Sequence, residues 1–170
     1  MKRIYLIGYM GSGKTTVGNR LAKKLCFQFV DIDHFIENRY RKTINDIFSE
    51  KGEDAFREME HEALKELSLF ENVVISTGGG APCFYNNMEL MNKSGFTVYL
   101  KTSPDELAKR LKNGKHQRPL LKDKATEEIF SFITENMAKR DFYYTQAKLI
   151  LDVEENDTDH IVDELISYLP

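Results

Sequence analysis

Apolar residues fall along this chain in short runs that alternate with longer amphipathic stretches. Residues 4–7 form an apolar run that stops at Gly8. A run that short, closed by a glycine turn, predicts a buried strand rather than a helix. From Lys14 the period changes, and Val17, Leu21 and Leu25 recur at four-residue steps, one face of a helix. Residues 27–30 predict a second strand, which runs into Asp31-Ile32-Asp33. Residues 34–70 read as helical in pieces. Thr43 can cap a short helix through Phe48, Gly52 breaks it, and Phe56, Met59, Ala63, Leu64 and Leu67 then form an apolar stripe. Residues 73–76 and 96–100 predict the third and fourth strands, with a weak helix around 88–91 between them. Ser103-Pro104-Asp105-Glu106 signals a helix start, a capping box with proline at the first helical position. Residues 113–124 are polar, basic and broken by Gly114 and Pro119, the pattern of an exposed, mobile loop. A long helix over 126–144, a fifth strand over 149–153 and an amphipathic helix carrying Ile161, Val162, Leu165, Ile166 and Leu169 complete the chain.

Strands alternating with helices imply an α/β fold with a mainly parallel sheet and right-handed crossovers. Ligands in such folds sit beyond the carboxyl ends of the strands. The segments at those ends are 8–16, Asp31 and Asp33, 78–80 and the stretch after Leu100. Their convergence on one sheet edge marks the place to look for chemistry.

At 170 residues the chain predicts one domain. With 27 acidic against 24 basic residues the net charge is −3, which argues against a dedicated nucleic-acid binder. No apolar run approaches the ~18 residues of a membrane span. Met1-Lys2-Arg3 leads straight into a strand, without the apolar stretch of a signal peptide, so the expected location is cytoplasmic. The 2 cysteines, Cys26 and Cys83, are too few for a disulfide scaffold, and Cys26 in Leu25-Cys26-Phe27 is expected to pack as a small hydrophobe.

Gly8-Tyr9-Met10-Gly11-Ser12-Gly13-Lys14-Thr15 has the spacing of a phosphate-binding loop, and it follows a strand and opens a helix as that mechanism demands. The glycines let backbone N–H groups turn onto phosphate oxygens. The helix start adds its positive dipole end. Lys14 reaches the β- and γ-phosphates and the Thr15 hydroxyl ligates Mg²⁺. Gly11, Ser12, Gly13, Lys14, Thr15 and Thr16 are therefore the candidate ATP-binding residues.

The loop specifies a nucleotide but not an acceptor. Asp31 and Asp33, if extended at the end of the second strand, point the same way toward the phosphates. One can then hold metal-bound water and the other an acceptor hydroxyl; alternatively Asp33 is a helix N-cap. Arg57 has Glu60 three residues on and Glu53 four residues before it, neighbours on a helix face and equally the pattern of a surface ion pair. Gly78-Gly79-Gly80 lacks any Cβ to keep a ligand from the backbone, or is a flexible turn. Arg118, in Arg118-Pro119-Leu120-Leu121, can bring positive charge to a transition state from a closing loop, or is solvated. Arg140 lies on or beside the apolar stripe of Ile133 and Met137, where partial burial calls for an anion; a pair with Asp141 or a distant acid is the other reading. The four histidines show no metal-ligand spacing, and Met88/Met91 and Tyr143/Tyr144 read as packing.

Taken in order, these residues resemble the shikimate kinase family over essentially the whole chain. The matching stretches are Gly8 to Thr16, Asp31-Ile32-Asp33, Ile47-Phe48, Gly52-Glu53, Phe56-Arg57-Glu58-Met59-Glu60, Ser76-Thr77-Gly78-Gly79-Gly80, Arg118-Pro119-Leu120-Leu121, and Arg140 before Tyr143-Tyr144. The resemblance implies a three-layer P-loop fold of the nucleoside-monophosphate-kinase type, with five parallel strands in the order 2-3-1-4-5. It implies one domain over 1–170: core 1–32, 62–111 and 125–170, a helical substrate-binding insertion at about 33–61, and a lid at about 112–124. It implies transfer of the ATP γ-phosphoryl group to the 3-hydroxyl of shikimate, giving ADP and shikimate 3-phosphate on the route to chorismate and the aromatic amino acids. Lys14, Asp33 and Arg118 are then the catalytic residues. Arg110 and Arg118 join the loop in binding ATP, and Asp33, Arg57, Gly78, Gly79, Gly80 and Arg140 bind the acceptor. One Mg²⁺ accompanies ATP, held directly by Thr15 and through water by Asp31. The expected partners are ATP, ADP and shikimate, with no nucleic acid and no membrane, for a monomer. A gluconate-type kinase and a non-catalytic nucleotide switch are the rivals; the arginine pair and the triple glycine argue against the first.

Overall fold

The computed structural model describes residues 2–113, 126–154 and 157–170. Five strands, β1 (Arg3–Ile7), β2 (Gln28–Asp31), β3 (Val73–Ser76), β4 (Phe96–Lys101) and β5 (Leu149–Asp152), form one sheet in the order β2-β3-β1-β4-β5. Every pairing is parallel. The helices are α1 (Lys14–Leu25), α2 (Ile32–Tyr40), α3 (Ile44–Leu67), α4 (Asn87–Ser94), α5 (Pro104–Asn113), α6 (Thr126–Tyr144) and α7 (Thr158–Tyr168), with a 3-10 turn over Ala81–Cys83. The strand order and the three layers agree with the expectation from the sequence.

Both sheet faces are covered, which is why the strands read as unbroken apolar runs rather than alternating ones. Along β1 successive side chains point to opposite faces. Tyr5 and Ile7 join a core with Ile32, Ile36, Ile47, Leu64 and Tyr144, on the side of α2, α3 and the end of α6. Ile4 and Leu6 join the opposite core with Val17, Leu21, Val162 and Leu165, under α1 and α7. A third cluster, Tyr9, Leu107, Ala108, Ile129 and Ile133, ties α5 and α6 to the loop after β1. The register sets Asp31 opposite Ser76 and Ser76 opposite Leu6, so three strands end on one line beneath that loop.

Several local features depart from the sequence reading. Asp31 and Asp33 are not both extended: Asp31 caps α2, accepting from the Asp33 N–H at 3.1 Å, and Asp33 lies in the first helical turn. The capping residue is thus Asp31, because the helix begins at Ile32. The two helices expected on either side of Gly52 run together as α3, kinked where Gly52 takes φ 80° and ψ 176°. Thr43 starts that helix with a full capping box to Asp46. At α5 only half of the expected box forms: the Glu106 N–H donates to Ser103 Oγ, while the Ser103 N–H donates to Glu154. Cys26 is exposed, contrary to the expectation of packing. It occupies the left-handed position that ends α1, and that turn carries its side chain outward. Met88 and Met91 are core residues, as read. Of the expected lid, Lys112 and Asn113 close α5; the remainder, with Arg118, lies outside the described residues.

Candidate active site

The loop between β1 and α1 makes its turns with Gly8, Gly11 and Gly13 at φ 145°, 84° and 92°, values that L side chains rarely adopt. Gly13 heads α1 without a side-chain cap, so the positive helix end is left to whatever the loop holds. The Lys14 ammonium donates to the Gly8 and Tyr9 carbonyls, each at 2.8 Å, and so stands at the loop rather than in solvent. Ser12 is buried; Thr15 and Thr16 are exposed on the first turn of α1. Thr15 Oγ1 donates to Asp31 Oδ2 at 3.2 Å. A hydroxyl and a carboxylate side by side at a phosphate loop are hard oxygen donors of the kind Mg²⁺ selects, which fits the pair expected to hold it.

Arg110 occupies the other side of this loop. Its guanidinium donates to the Val153 and Glu154 carbonyls at 2.9 and 3.1 Å and to Gly11 O at 3.5 Å. It binds the end of β5 to the phosphate loop.

The second half of the site is built around the turn after β3. Arg57 is not a surface residue, since its side chain is 12% exposed and that of Glu60 is 0%. Arg57 Nη1 donates to Glu60 Oε2 at 2.9 Å, and Nη2 donates to Glu53 Oε1 at 3.1 Å. The guanidinium lies 4.2 Å over the Phe84 ring. Each of the three glycines faces polar side chains. A Cβ at Gly78 would fall 2.7 Å from Glu60 Oε1 and 3.5 Å from Asp33 Oδ1. At Gly79 it would lie 3.2 Å from Arg140 Nη1, and at Gly80 2.6 Å from Arg57 Nη2. None of the three has a positive φ, so their glycine identity follows from close approach and not from turn geometry. Asp33, Arg57, Glu60 and Arg140, from α2, α3 and α6, thus meet at one turn beside the phosphate loop, where a Cβ at Gly79 would also lie 3.5 Å from Gly8 O and Met10 N.

Arg140 is half-buried, hydrogen-bonded with Tyr144 and stacked 5.1 Å over the Tyr9 ring. Among the described residues these bonding and stacking partners include no carboxylate, which sets aside a pair with Asp141; the acid that feels Arg140 is Glu60, whose carboxyl it pulls down electrostatically while Arg57 takes its hydrogen bond. Tyr144, which the sequence suggests is packing alone, does more: its ring packs tilted against Tyr99, and its hydroxyl donates to Gly79 O. Its place one helical turn after Arg140 was the available signal.

Glu60 is the strongly perturbed acid here. Burial pushes its carboxyl up to about 7, against the pull of Arg57 and with a further push from Asp33. Glu60 Oε1 is buried without a hydrogen-bond partner among the described residues. A carboxyl raised in the folded state contributes stability that is fully present below its unfolded value of 4.5 and is lost as pH rises through 7. Wild-type stability is therefore expected to fall between those pH values relative to Glu60→Gln, which cannot ionise. Urea unfolding of both proteins across this range checks it; parallel stability curves would rule the titration out.

Comparison with known proteins gives one answer. A family model for shikimate kinase matches residues 10–170. A shikimate kinase of Parabacteroides distasonis is 53% identical over 169 residues, 99% of this chain and 98% of that protein. The 1.7 Å crystal structure of shikimate kinase from Bacteroides thetaiotaomicron matches with a TM-score of 0.94 at 48% identity, over 98% of this chain and 97% of that one. A shikimate kinase from Acinetobacter baumannii in complex with shikimate matches with a TM-score of 0.87 at 34% identity, over 98% of this chain and 92% of that one.

Proposed function

The chain belongs to the shikimate kinase family, and from that premise we propose how its own residues move the γ-phosphoryl group of ATP to the 3-hydroxyl of shikimate. The observation that carries the reading is the meeting of two arginines, Asp33 and three glycines at one turn beside the phosphate loop. A small acceptor with one carboxylate and several hydroxyls matches that set.

Gly11, Ser12, Gly13, Lys14, Thr15 and Thr16 hold the nucleotide phosphates. Lys14 exchanges the Gly8 and Tyr9 carbonyls for the β- and γ-phosphate oxygens. Phosphoryl transfer depends on positioning and charge stabilisation more than on covalent chemistry, so this ammonium acts where negative charge is spread in the transition state. Thr15 directly and Asp31 through water would hold Mg²⁺, which when bound offsets phosphate charge. Arg110 flanks the adenine, and Arg118, outside the described residues, comes onto the phosphates from the lid at about 112–124. Arg140 and Arg57 hold the shikimate carboxylate, with Gly78, Gly79 and Gly80 giving room for the ring. Asp33 accepts a hydrogen bond from the 3-hydroxyl and aims it at the phosphorus. The insertion at about 33–61 supplies Asp33 and Arg57 to the acceptor, and the core of 1–32, 62–111 and 125–170 adds the three glycines and Arg140 and carries the phosphate loop. The proposal includes a monomer acting in the cytoplasm; no helix of the described residues is long and apolar enough to cross a membrane.

The test is ADP release with Mg²⁺ and ATP, with and without shikimate, using gluconate as the comparison polyol. Strong stimulation by shikimate alone is expected. No stimulation, with nucleotide still bound, would sink the acceptor assignment and leave the phosphate loop standing.

A further inference from the structure

Arg57, Glu60 and His61 occupy positions i, i+3 and i+4 of α3 and so share one face of the helix. Arg57 and Glu60 are in the acceptor site. His61 is not, yet it reaches the same loop by another route. The Asn87 side-chain amide is fully buried at the start of α4 and donates from Nδ2 to Ala81 O at 2.9 Å. That bond fixes which end of the amide is oxygen. His61 Nδ1 lies 2.6 Å from Asn87 Oδ1, so the imidazole must carry its proton on Nδ1 and donate it. The ring is also stacked on Tyr85, centroids 4.7 Å apart. The Asn87 backbone N–H donates to Phe84 O at 3.2 Å.

Asn87 therefore holds both ends of the Ala81–Phe84 segment, by its side chain at Ala81 and by its backbone at Phe84. Those ends carry the two walls around Arg57. Gly80, immediately before Ala81, approaches so closely that a Cβ there would meet Arg57 Nη2 at 2.6 Å. The Phe84 ring covers the guanidinium at 4.2 Å. The spacing of these walls decides where the guanidinium fork can point.

We propose that His61 and Asn87 form a positioning pair that locks the Gly80–Phe84 walls around Arg57 and thereby sets affinity for the carboxylate-bearing acceptor. The pair touches no reacting atom and acts through Arg57. It rests on the acceptor site assigned above. An imidazole that donates from Nδ1 can be replaced by an asparagine amide nitrogen at nearly the same position, whereas phenylalanine keeps the ring against Tyr85 and removes the donor.

The experiment compares His61→Phe and His61→Asn with wild type in KM for shikimate, KM for ATP and kcat, with Arg57→Ala as the control. His61→Phe is expected to raise KM for shikimate about tenfold, the order of one lost hydrogen bond to a buried polar group, with KM for ATP within about twofold. His61→Asn is expected to restore most of the shikimate affinity. Nitrogen-15 NMR of the wild type is expected to show His61 in the Nδ1–H form. If Arg57→Ala raises KM for shikimate and His61→Phe does not, the positioning pair is wrong while the site stands. If Arg57→Ala leaves it unchanged, the acceptor site itself is wrong. An Nε2–H form of His61, or equal loss of affinity for both substrates, would also overturn the pairing.

Discussion

Lys14→Ala is expected to lower kcat for phosphoryl transfer by at least ~10²–10³-fold, the range for removing one preorganised donor from a developing negative charge. The Gly8 and Tyr9 carbonyls hold the ammonium at the phosphate loop, so only an exchange of hydrogen-bond partners brings it onto the phosphates. The fold should survive its loss. α1 is anchored by Val17, Leu21 and Ala22 in the core against α7, not by Lys14, and the loop turns come from its glycines. Lys14→Arg separates charge from geometry: it keeps the positive charge but presents a planar fork where a compact ammonium fits. It should recover only part of the rate. Turnover is measured by ADP release at saturating ATP and shikimate, beside a thermal melt of each variant. Near-normal turnover of Lys14→Ala, in a protein that melts as wild type does, would remove Lys14 from the chemistry.

The phosphate loop could be read from the sequence because its physics is local. Glycines at forced φ values, a lysine and a hydroxyl at fixed offsets do the same thing wherever a strand precedes them and a helix follows. The sheet was legible for a related reason: burial on both faces leaves short unbroken apolar runs that little else produces. Asp31 and Asp33 were harder. Moving the helix start to Ile32 turns one of them from a strand residue into a cap, and pattern alone does not fix such boundaries. Cys26 misled in the same way, since its apolar neighbours say nothing of the left-handed turn that faces it outward. What the sequence largely hid is the set of contacts behind the site. The full burial of Glu60, the hydroxyl of Tyr144 on Gly79 and the reach of His61 to Asn87 all depend on contacts between elements distant along the chain. Apart from the place of Tyr144 one helical turn after Arg140, no residue spacing announces them.

The two arginines at the acceptor should not be equivalent, and the difference predicts the second large effect. Arg57 already faces two carboxylates, Glu53 and Glu60. Its charge is compensated before any ligand arrives, in part only, because Glu60 is raised to about 7. Arg140 is held by Tyr144 and the Tyr9 ring, neither of them an anion. It is half-buried, so water screens it poorly, and an incoming carboxylate gains most of its electrostatic stabilisation there. Arg140→Ala is therefore expected to lower kcat/KM for shikimate by ~30- to 5 × 10³-fold, corresponding to the ~2–5 kcal/mol typical of truncating one partner of a buried charge pair. The effect should exceed that of Arg57→Ala and leave KM for ATP within about twofold. Arg140→Lys should fall between wild type and Arg140→Ala, because it keeps the charge but loses the bidentate fork. The check is a pair of titrations for each variant, shikimate at saturating ATP and ATP at saturating shikimate. A larger loss for Arg57→Ala would show that compensation by Glu53 and Glu60 does not weaken that arginine toward the acceptor. Equal losses on both substrates would mean that Arg140 supports the phosphate loop through Tyr9 instead of binding the carboxylate.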